Sequence, residues 1–225
     1  MSALSNPKIT IIVPVFNQER FIGRCIRSLL AQNFPRVDYE IIIVDDGCTD
    51  KTPFAISIFD DEVTIIKNER NIGLPGSLNR AINRIKSSYF VRVDSDDFVS
   101  KNFLLFLYSY ITENSYMDAV ACDYNLVDDQ ENVIERKSCI SEPIACGIAF
   151  NTKQVINLGG YDENFLLHED LDLRTRFLAH HEIHRLELPL YRYRRHDNNM
   201  TNNKEAMEFH KKHLIAKHNN VKSIK

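Results

Sequence analysis

The stretch ITIIVPVFNQERFIGRCIRSLLAQNF, residues 9–34, contains a strand pattern followed at once by a helix pattern. Ile9 to Phe16 form an apolar run rich in β-branched residues, which is typical of a strand buried on both faces. From Gln18 to Gln32 the apolar residues recur at helical spacing, which predicts an amphipathic helix. A buried strand that leads directly into a helix is the unit from which parallel sheets are built.

The same alternation continues through the first half of the chain. It predicts further strands at Tyr39–Val44, Val63–Lys67 and Tyr89–Val93. A helix is predicted after each of these strands, with N-caps at Thr52, Ser77 and Ser100. The pattern therefore predicts an α/β protein with a Rossmann-like, mostly parallel central sheet that is flanked by helices.

The pattern changes after Met117. Strands are predicted on either side of an acidic turn, then a third strand and a helix, at Ala119–Val127, Val133–Lys137, Ile144–Phe150 and Glu169–Ala179. We expect one domain over residues 1–225. It would comprise a regular half at about residues 8–116, a mixed half at 117–201, and a C-terminal helix or tail at 202–225.

Composition excludes several classes of protein. The net charge of -3 gives no bias towards nucleic acid or an anionic membrane, so no nucleic-acid partner is expected. The 5 cysteines form no CxxC pair, which argues against a disulfide framework or a structural zinc site and favours a reducing cytosol. Met1 to Lys8 is polar and the next apolar run is cut by Pro14, so we expect no signal peptide and a soluble, cytoplasmic protein.

Carboxylates gather where two of the predicted strands end. Asp45 and Asp46 follow one strand, and Asp94, Asp96 and Asp97 follow another. Ligands of open parallel sheets bind beyond the carboxyl ends of the strands, and clustered carboxylates there suit Mg²⁺ or Mn²⁺. The alternative is a solvated loop that caps the following helix, because a short Asp-x-Asp motif is a weak signal alone.

Six segments of the chain occur in an order that is more specific than any one of them. They are ITIIVPVFNQERFIGRCIRSLLAQNF, YEIIIVDDGCTDKT, NIGLPGSLNRAI, YFVRVDSDDF, GGYDENFLLHEDLDLRTRF and YRRHDNNMT. This succession, from Ile9 to Thr201, resembles glycosyltransferase family 2. The resemblance implies the glycosyltransferase-A fold, an inverting transfer of a sugar from a nucleotide-sugar donor, and a donor-binding half that precedes an acceptor-side half.

The resemblance implies a nucleotide site formed by Pro14, Val15, Phe16, Asn17, Asp46, Asn79, Asp94 and Ser95. Phe16 would lie against the base, although a core-packing role is an open alternative. Asp46 would accept a hydrogen bond from a ring N–H, as in uracil, so UDP-sugars are the favoured donors. Asp45 would brace the loop; the alternative is that both carboxylates only cap the next helix.

The resemblance also implies a divalent metal, Mn²⁺ or Mg²⁺, held by Asp94, Asp96 and His196. Asp96 would touch the metal directly, and Asp94 the ribose or a metal-bound water. Asp97 ranks third as a ligand, and Arg92 would contact either the donor or a carboxylate. Arg194 and Arg195 would bind the diphosphate, unless they belong to a basic surface segment.

On the acceptor side, Asp170 matches the family's catalytic base, and Glu169 would touch the acceptor or orient the loop. A base is needed because an inverting transfer takes a proton from the acceptor hydroxyl as its oxygen attacks the anomeric carbon. Without the family context, both acids would read as acid enrichment in the first turn of a helix. A saccharide, a lipid-linked sugar and a protein remain alternative acceptors.

Several departures and competing interpretations accompany this resemblance. Leu78 stands where many relatives carry an arginine, so that donor contact is not expected here. A non-catalytic nucleotide-sugar-binding module on the same fold is the main alternative. A nucleotidyltransferase or a dinucleotide-binding oxidoreductase is disfavoured by the lack of a glycine-rich loop after the first strand.

The C-terminal region supports two further expectations. The family's processive synthases carry membrane helices that this chain lacks, which favours a single-addition enzyme. Five tail lysines would allow peripheral contact with an anionic membrane at its inner face, or would form a solvated helix face, at Lys211, Lys212, Lys217, Lys222 and Lys225.

Overall fold

A computed structural model describes residues 6–165, 167–196, 214, 215, 217 and 218 of the chain. Its strands are β1 (Ile9–Val15), β2 (Tyr39–Asp45), β3 (Thr64–Lys67), β4 (Tyr89–Arg92), β5 (Phe98–Val99), β6 (Ala119–Val127), β7 (Val133–Lys137), β8 (Ile148–Asn151) and β9 (Ile183–Arg194). Its helices are α1 (Ile22–Leu30), α2 (Thr52–Ser57), α3 (Leu74–Ile82), α4 (Phe103–Glu113), α5 (Thr152–Asn157) and α6 (Glu169–Leu178).

These strands form one sheet in the order β3-β2-β1-β4-β8-β6-β9-β5, with β7 paired to β6. The neighbours among β3, β2, β1 and β4 are all parallel, whereas β8 is antiparallel to both β4 and β6. β6 and β9 are parallel to each other. The predicted α/β fold is therefore confirmed, with a parallel first half and a mixed second half.

The sheet has a hydrophobic core on each face. Ile11 and Val13 of β1 pack in one core with α1 and α4, while the intervening Ile12 packs in the other with α3. Successive side chains of a strand point to opposite faces, so a strand covered on both sides has no polar face. All seven residues of β1 are accordingly buried.

The predicted helix caps were wrong, at Thr52 by one residue, at Ser100 by two and at Ser77 by four. Thr52 is the first residue of α2, and its hydroxyl accepts a hydrogen bond from the amide of Gln18. Ser77 lies inside α3, which begins earlier because Gly73 adopts a positive φ of 88° and Pro75 suits a first turn. α4 is preceded by Asn102 rather than capped by Ser100.

The mixed half is where sequence patterns predicted least. β6 and β7 have the predicted bounds, and β8 begins at Ile148 rather than Ile144. The 12-residue β9 and the short β5 were not predicted at all. β9 runs parallel to β6 through two register shifts and contains Pro189, which interrupts the regular alternation that marks a strand.

Within the described residues, no helix has the length and apolar character needed to cross a bilayer. Most of the predicted C-terminal helix or tail, including Lys211, Lys212, Lys222 and Lys225, lies outside the described residues. Lys217 is described, and its ammonium pairs with Asp162 and Asp172 at 2.7 Å each.

Candidate active site

One cleft of about 760 Å³ opens where β1, β2 and β4 end and α6 begins. It receives side chains from both halves of the chain, which the sheet order brings to one edge. Ten of the predicted site residues line it: Pro14, Val15, Phe16, Asn17, Asp46, Asp94, Ser95, Asp96, Glu169 and Asp170. The cleft therefore joins the proposed donor residues to the proposed acceptor residues.

The wall that follows β1 presents an aromatic ring on a fixed loop. Phe16 is 44% exposed, so it is available to a ligand and does not pack in the core. Asn17 has a left-handed φ of 52°, and its side-chain oxygen accepts a hydrogen bond from the amide of Thr49 at 2.8 Å. This bond ties the loop after β1 to the loop after β2.

Asp46 is buried at the base of the cleft with three hydrogen bonds to its carboxylate. One oxygen accepts from the Asn68 side-chain amide at 2.8 Å and from the amide of Ile72 at 2.9 Å. The other oxygen accepts from the amide of Gly73 at 3.0 Å. Arg80 contacts the Asn68 carbonyl oxygen, which turns the Asn68 NH₂ group towards Asp46. The carboxylate is therefore held in one orientation.

The turn between Asp46 and α2 also depends on close backbone packing. Asp45 accepts a hydrogen bond from the amide of Cys48 at 2.9 Å, so it braces this loop. Gly47 has a φ of 72°, and a Cβ atom there would lie 2.6 Å from the carbonyl carbon of Arg70. Any side chain would push the two loops apart, so glycine is required at this position.

The carboxylates that follow β4 differ in their partners. Asp94 forms a two-point pair with Arg92, whose Nε and Nη2 lie 2.6 and 3.2 Å from its two oxygens. Asp96 pairs with Nε2 of His196 at 2.9 Å. Both side chains are partly exposed, at 24% and 18%, and both line the cleft. They therefore remain accessible to a ligand.

Asp97 is held inside the protein instead. It is 3% exposed and accepts hydrogen bonds from the Tyr191 hydroxyl and from the amide of Arg194, both at 2.7 Å. Burial, together with repulsion by Asp96 and Asp94, raises its pKa well above the ordinary value. Its role is to connect this loop to β9.

Two groups of acidic side chains at the cleft offer ligands for a divalent cation. Asp94 and Asp96 offer oxygen ligands at the cleft surface, which suits Mg²⁺ or Mn²⁺. A second group, Asp94, Asp97 and Cys146, places one ligand atom of each residue within 4.8 Å of the others. Burial raises the pKa of the Cys146 thiol well above its usual range, so the thiol stays protonated. A protonated thiol is a poor ligand for Mg²⁺ or Mn²⁺, which prefer oxygen. The exposed oxygens of Asp94 and Asp96 fit a cation better.

Four predicted residues lie outside the lining of the main cleft: Asn79, Arg194, Arg195 and His196. Asn79 bonds the backbone of Tyr161 in both directions, through its amide and its carbonyl at 2.8 Å each. The buried guanidinium of Arg194 contacts Phe21 and Phe98 and donates to the carbonyl of Asp96 at 2.9 Å. Arg195 is exposed beside Tyr193. The side chains of Asn79 and Arg194 are thus bonded to other parts of this chain.

His196 lies in an adjoining cleft of about 230 Å³, whose lining shares Asn17 and Gln18 with the main cleft. Its ring packs 4.9 Å from the Phe21 ring, and its side chain is 4% exposed. The predicted pairing of His196 with Asp96 at one site agrees with their 2.9 Å contact, whereas its role towards a metal stays a prediction.

Glu169 and Asp170 open α6 with different surroundings. Glu169 is 4% exposed and accepts a hydrogen bond from Nη1 of Arg92 at 2.8 Å. Burial raises its pKa to about 6, against the opposing effect of Arg92. Asp170 is half-buried and lines the cleft, and its carboxylate has no hydrogen bond within the described residues. It is therefore free to accept a proton from a bound molecule.

The salt bridge, one of the two predicted roles of Arg92, is present: its guanidinium joins Asp94 to Glu169. Sequence reasoning missed the far wall of the cleft, formed by Pro143, Ile144, Ala145, Cys146 and Tyr193. The tyrosine comes from the unpredicted β9, so no local pattern pointed to it.

Comparison with known proteins agrees with this arrangement. A family model described as Glycosyl transferase family 2 matches residues 10–174. A poly(ribitol-phosphate) beta-glucosyltransferase of Bacillus spizizenii is 40% identical over 111 residues, which cover 48% of this chain and 18% of that protein. Glycosyltransferase GlyA of Streptococcus pneumoniae is 32% identical over 130 residues, covering 56% of this chain and 18% of that protein. The match thus spans under a fifth of either relative.

Solved structures show the same fold. TarS 1–349 of Staphylococcus aureus in complex with UDP-GlcNAc superposes with a TM-score of 0.80 at 20% identity, covering 96% of this chain and 68% of that one. A mannosyltransferase of Pyrobaculum calidifontis in complex with GDP-Man and Mn²⁺ gives 0.76 at 17% identity, covering 97% and 66%. These likenesses confirm the glycosyltransferase-A fold.

Proposed function

The chain belongs to glycosyl transferase family 2, and on that premise we propose that it transfers a sugar, with inversion, from a nucleoside diphosphate sugar to an acceptor hydroxyl. The observation that carries this proposal is the shared cleft, where Asp46, Asp94 and Asp96 of the first half meet Asp170 of the second. The first half, at about residues 8–116, would bind the donor, and residues 117–201 would bind the acceptor.

The donor would be a UDP-sugar in preference to other nucleotide sugars. The exposed ring of Phe16 offers a stacking surface for the base, and Asp46 offers a carboxylate acceptor for a ring N–H. Asp46 already accepts three hydrogen bonds, so its capacity suits the single N3–H of uracil. Relatives of this fold in complex with UDP-GlcNAc and with GDP-Man support the nucleotide-sugar class.

Asp96 and Asp94 would hold a divalent cation, Mn²⁺ or Mg²⁺, with His196 behind Asp96. When bound, such a cation supplies stabilisation of the negative charge that develops on the departing nucleoside diphosphate. The Mn²⁺ complex of the mannosyltransferase supports this class of ion. Ser95, which lines the cleft, would complete the polar surroundings of the diphosphate.

The chemical step assigns one task to Asp170. The acceptor oxygen forms a bond to the anomeric carbon as the bond from that carbon to the phosphate oxygen breaks. The acceptor proton passes to the Asp170 carboxylate, and the diphosphate leaves with the electron pair of the broken bond. Asp170 suits this task because it faces the cleft without a hydrogen bond among the described residues.

The acceptor is proposed to be a saccharide, a lipid-linked sugar or a protein hydroxyl. The far wall of the cleft is largely apolar, with Pro143, Ile144 and Tyr193, which suits the faces of a sugar ring. Five free cysteines support a reducing, cytoplasmic setting. A role in polysaccharide biosynthesis, with peripheral contact at the inner membrane face, is the remaining part of this proposal.

Calorimetric titration with UDP, GDP and dTDP, each with and without Mn²⁺, tests the proposal. UDP should bind with a dependence on Mn²⁺, and this binding should raise the melting temperature of the protein. Slow release of UDP from a UDP-sugar in the presence of Mn²⁺ would separate an enzyme from a binding module. Absence of binding by all three nucleotides would contradict the proposed function.

A further inference from the structure

We propose that Arg92 and Glu169 are a positioning pair that fixes Asp170 relative to the donor, and that neither touches the acceptor. The inference rests on the proposed function, because it concerns the same site and the same base. It settles between the two sequence-based roles for Glu169 in favour of orientation. It also assigns a role to an arginine whose partners the sequence left open.

The pair connects two distant parts of the chain. Arg92 ends β4, two residues before Asp94, while Glu169 begins α6 and immediately precedes Asp170. The guanidinium donates twice to Asp94, at 2.6 and 3.2 Å, and once to Glu169, at 2.8 Å. One planar group therefore sets the spacing between the donor-side motif and the start of the helix that carries Asp170.

Both members of the pair border the cleft but expose little of their side chains to it. The side chain of Arg92 is 7% exposed and that of Glu169 is 6% exposed. A buried ion pair contributes little net stability, since the cost of removing both charges from water offsets their attraction. Such a pair does restrict geometry, because the guanidinium fork fixes direction as well as distance. Its chief effect here is on position.

Position matters at this point of the cleft because Asp170 has no hydrogen bond of its own among the described residues. His168, just before the helix, adopts a left-handed φ of 63°, so the backbone entering α6 does not follow a regular path. The Arg92–Glu169 contact holds the residue that immediately precedes Asp170. A displacement of about 1 Å in a reacting group can lower a rate roughly 10²-fold.

Four variants test this inference. Arg92→Met with Glu169→Gln removes both buried charges together; Asp94 also loses its partner, but at 24% exposure its carboxylate can be solvated. Arg92→Lys keeps the positive charge but loses the fork, which keeps the inference testable if the first variant fails to fold. Asp170→Asn removes the base. Arg185→Met is the matched control, because Arg185 makes the same kind of pair with the buried Asp123 outside the cleft.

For each variant, melting temperature, affinity for UDP with Mn²⁺, and the rate of UDP release from a UDP-sugar would be measured. We expect the paired variant to retain UDP affinity within about 3-fold while its kcat falls on the order of 10-fold to 100-fold. Arg92→Lys should lose less than the paired variant. Arg185→Met should lower the melting temperature while leaving kcat unchanged.

The decisive comparison places the paired variant in the Asp170→Asn background. If the pair acts through Asp170, the two losses will not add, and the triple variant will match Asp170→Asn alone. Additive losses, or an unchanged kcat in a folded paired variant, would overturn the inference. Loss of UDP affinity together with kcat would show that the pair acts on the donor site, directly or through Asp94, and would also overturn the inference. Absence of UDP binding by the wild type would contradict the proposed function rather than this inference.

Discussion

The carboxylates at the two ends of the cleft differ in burial and in hydrogen bonding. At one end Asp46 is 4% exposed and accepts three hydrogen bonds, from Asn68, Ile72 and Gly73. At the other end Asp170 is half-buried and has no hydrogen bond among the described residues. A fully bonded carboxylate is fixed and suits recognition of one hydrogen-bond donor, whereas an unbonded one keeps its lone pairs for a proton.

Arg92 lies between these two ends of the cleft, and its contacts explain how the unbonded carboxylate of Asp170 can still be positioned. It bonds Asp94 on the proposed donor side and Glu169 on the proposed acceptor side, so the residue that precedes Asp170 is anchored although the Asp170 carboxylate has no hydrogen bond among the described residues. Recognition and proton transfer therefore place different demands on a carboxylate. The following substitutions test that difference, beginning with the largest expected effect.

Asp170→Asn should break the acceptor end and leave the donor end intact. An asparagine of the same shape cannot take the acceptor proton, so we expect kcat to fall roughly 10²-fold to 10⁴-fold. Affinity for UDP with Mn²⁺ should be unchanged. Rates of sugar transfer or UDP release, beside a calorimetric titration, would check both statements; full activity in the variant would show that Asp170 is not the base.

Asp96→Asn should break the middle of the cleft. The substitution removes the charged oxygen ligand assigned to the cation, so we expect the Mn²⁺-dependent part of UDP affinity to fall by about 10-fold or more. Asp129→Asn is a suitable control, since Asp129 lines only the adjoining small cleft and pairs with Arg20. Equal Mn²⁺ dependence in both variants would place the cation elsewhere.

Asp46→Asn should weaken the donor end by a smaller amount. An asparagine has only one acceptor oxygen, and its NH₂ group would face donors that now bond to Asp46. Each broken hydrogen bond to a charged group costs about 1–3 kcal/mol, so we expect UDP affinity to fall about 10-fold. The melting temperature should fall as well, because the loop containing Ile72 and Gly73 loses its acceptor. UDP affinity equal to that of the wild type would argue that the uracil ring binds away from Asp46.

Glu169 should give the acceptor end a pH signature of its own. Its pKa of about 6 lies above the ordinary 4.5, so in this range the folded state binds more protons than the unfolded state. The contribution of Glu169 to stability is therefore lost as the pH rises from about 4.5 to 6. In urea unfolding without metal, stability should fall more steeply over this pH range in the wild type than in Glu169→Gln, since only the wild type carries the Glu169 contribution; parallel curves would contradict it.

Local patterns predicted the donor half well because its strands are buried on both faces. β1 and β2 carry unbroken apolar runs, and the carboxylates after β2 and β4 followed from the rule that strand ends meet at one edge. The order of the family's motifs also predicted Asp170 as a site residue, although it lies 76 residues after Asp94 in the chain. Those residues do line a common cleft.

The mixed half was less predictable because its order depends on contacts between distant segments. β9 pairs with β6 across more than 60 residues, and its charged side chains bond elsewhere in the fold. Arg194 is the clearest case: its sequence context suggested a phosphate ligand, yet its guanidinium contacts two aromatic rings and the carbonyl of Asp96. No local pattern identifies such partners.

A crystal structure with UDP and Mn²⁺, using the anomalous signal of manganese, tests the central claim most directly. We predict a manganese peak bonded to the Asp96 carboxylate, with the uracil ring against Phe16 and its N3–H on Asp46. Asp170 should face the sugar side of the diphosphate. A manganese peak at the group formed by Asp94, Asp97 and Cys146, or a nucleotide bound outside the 760 Å³ cleft, would contradict the account.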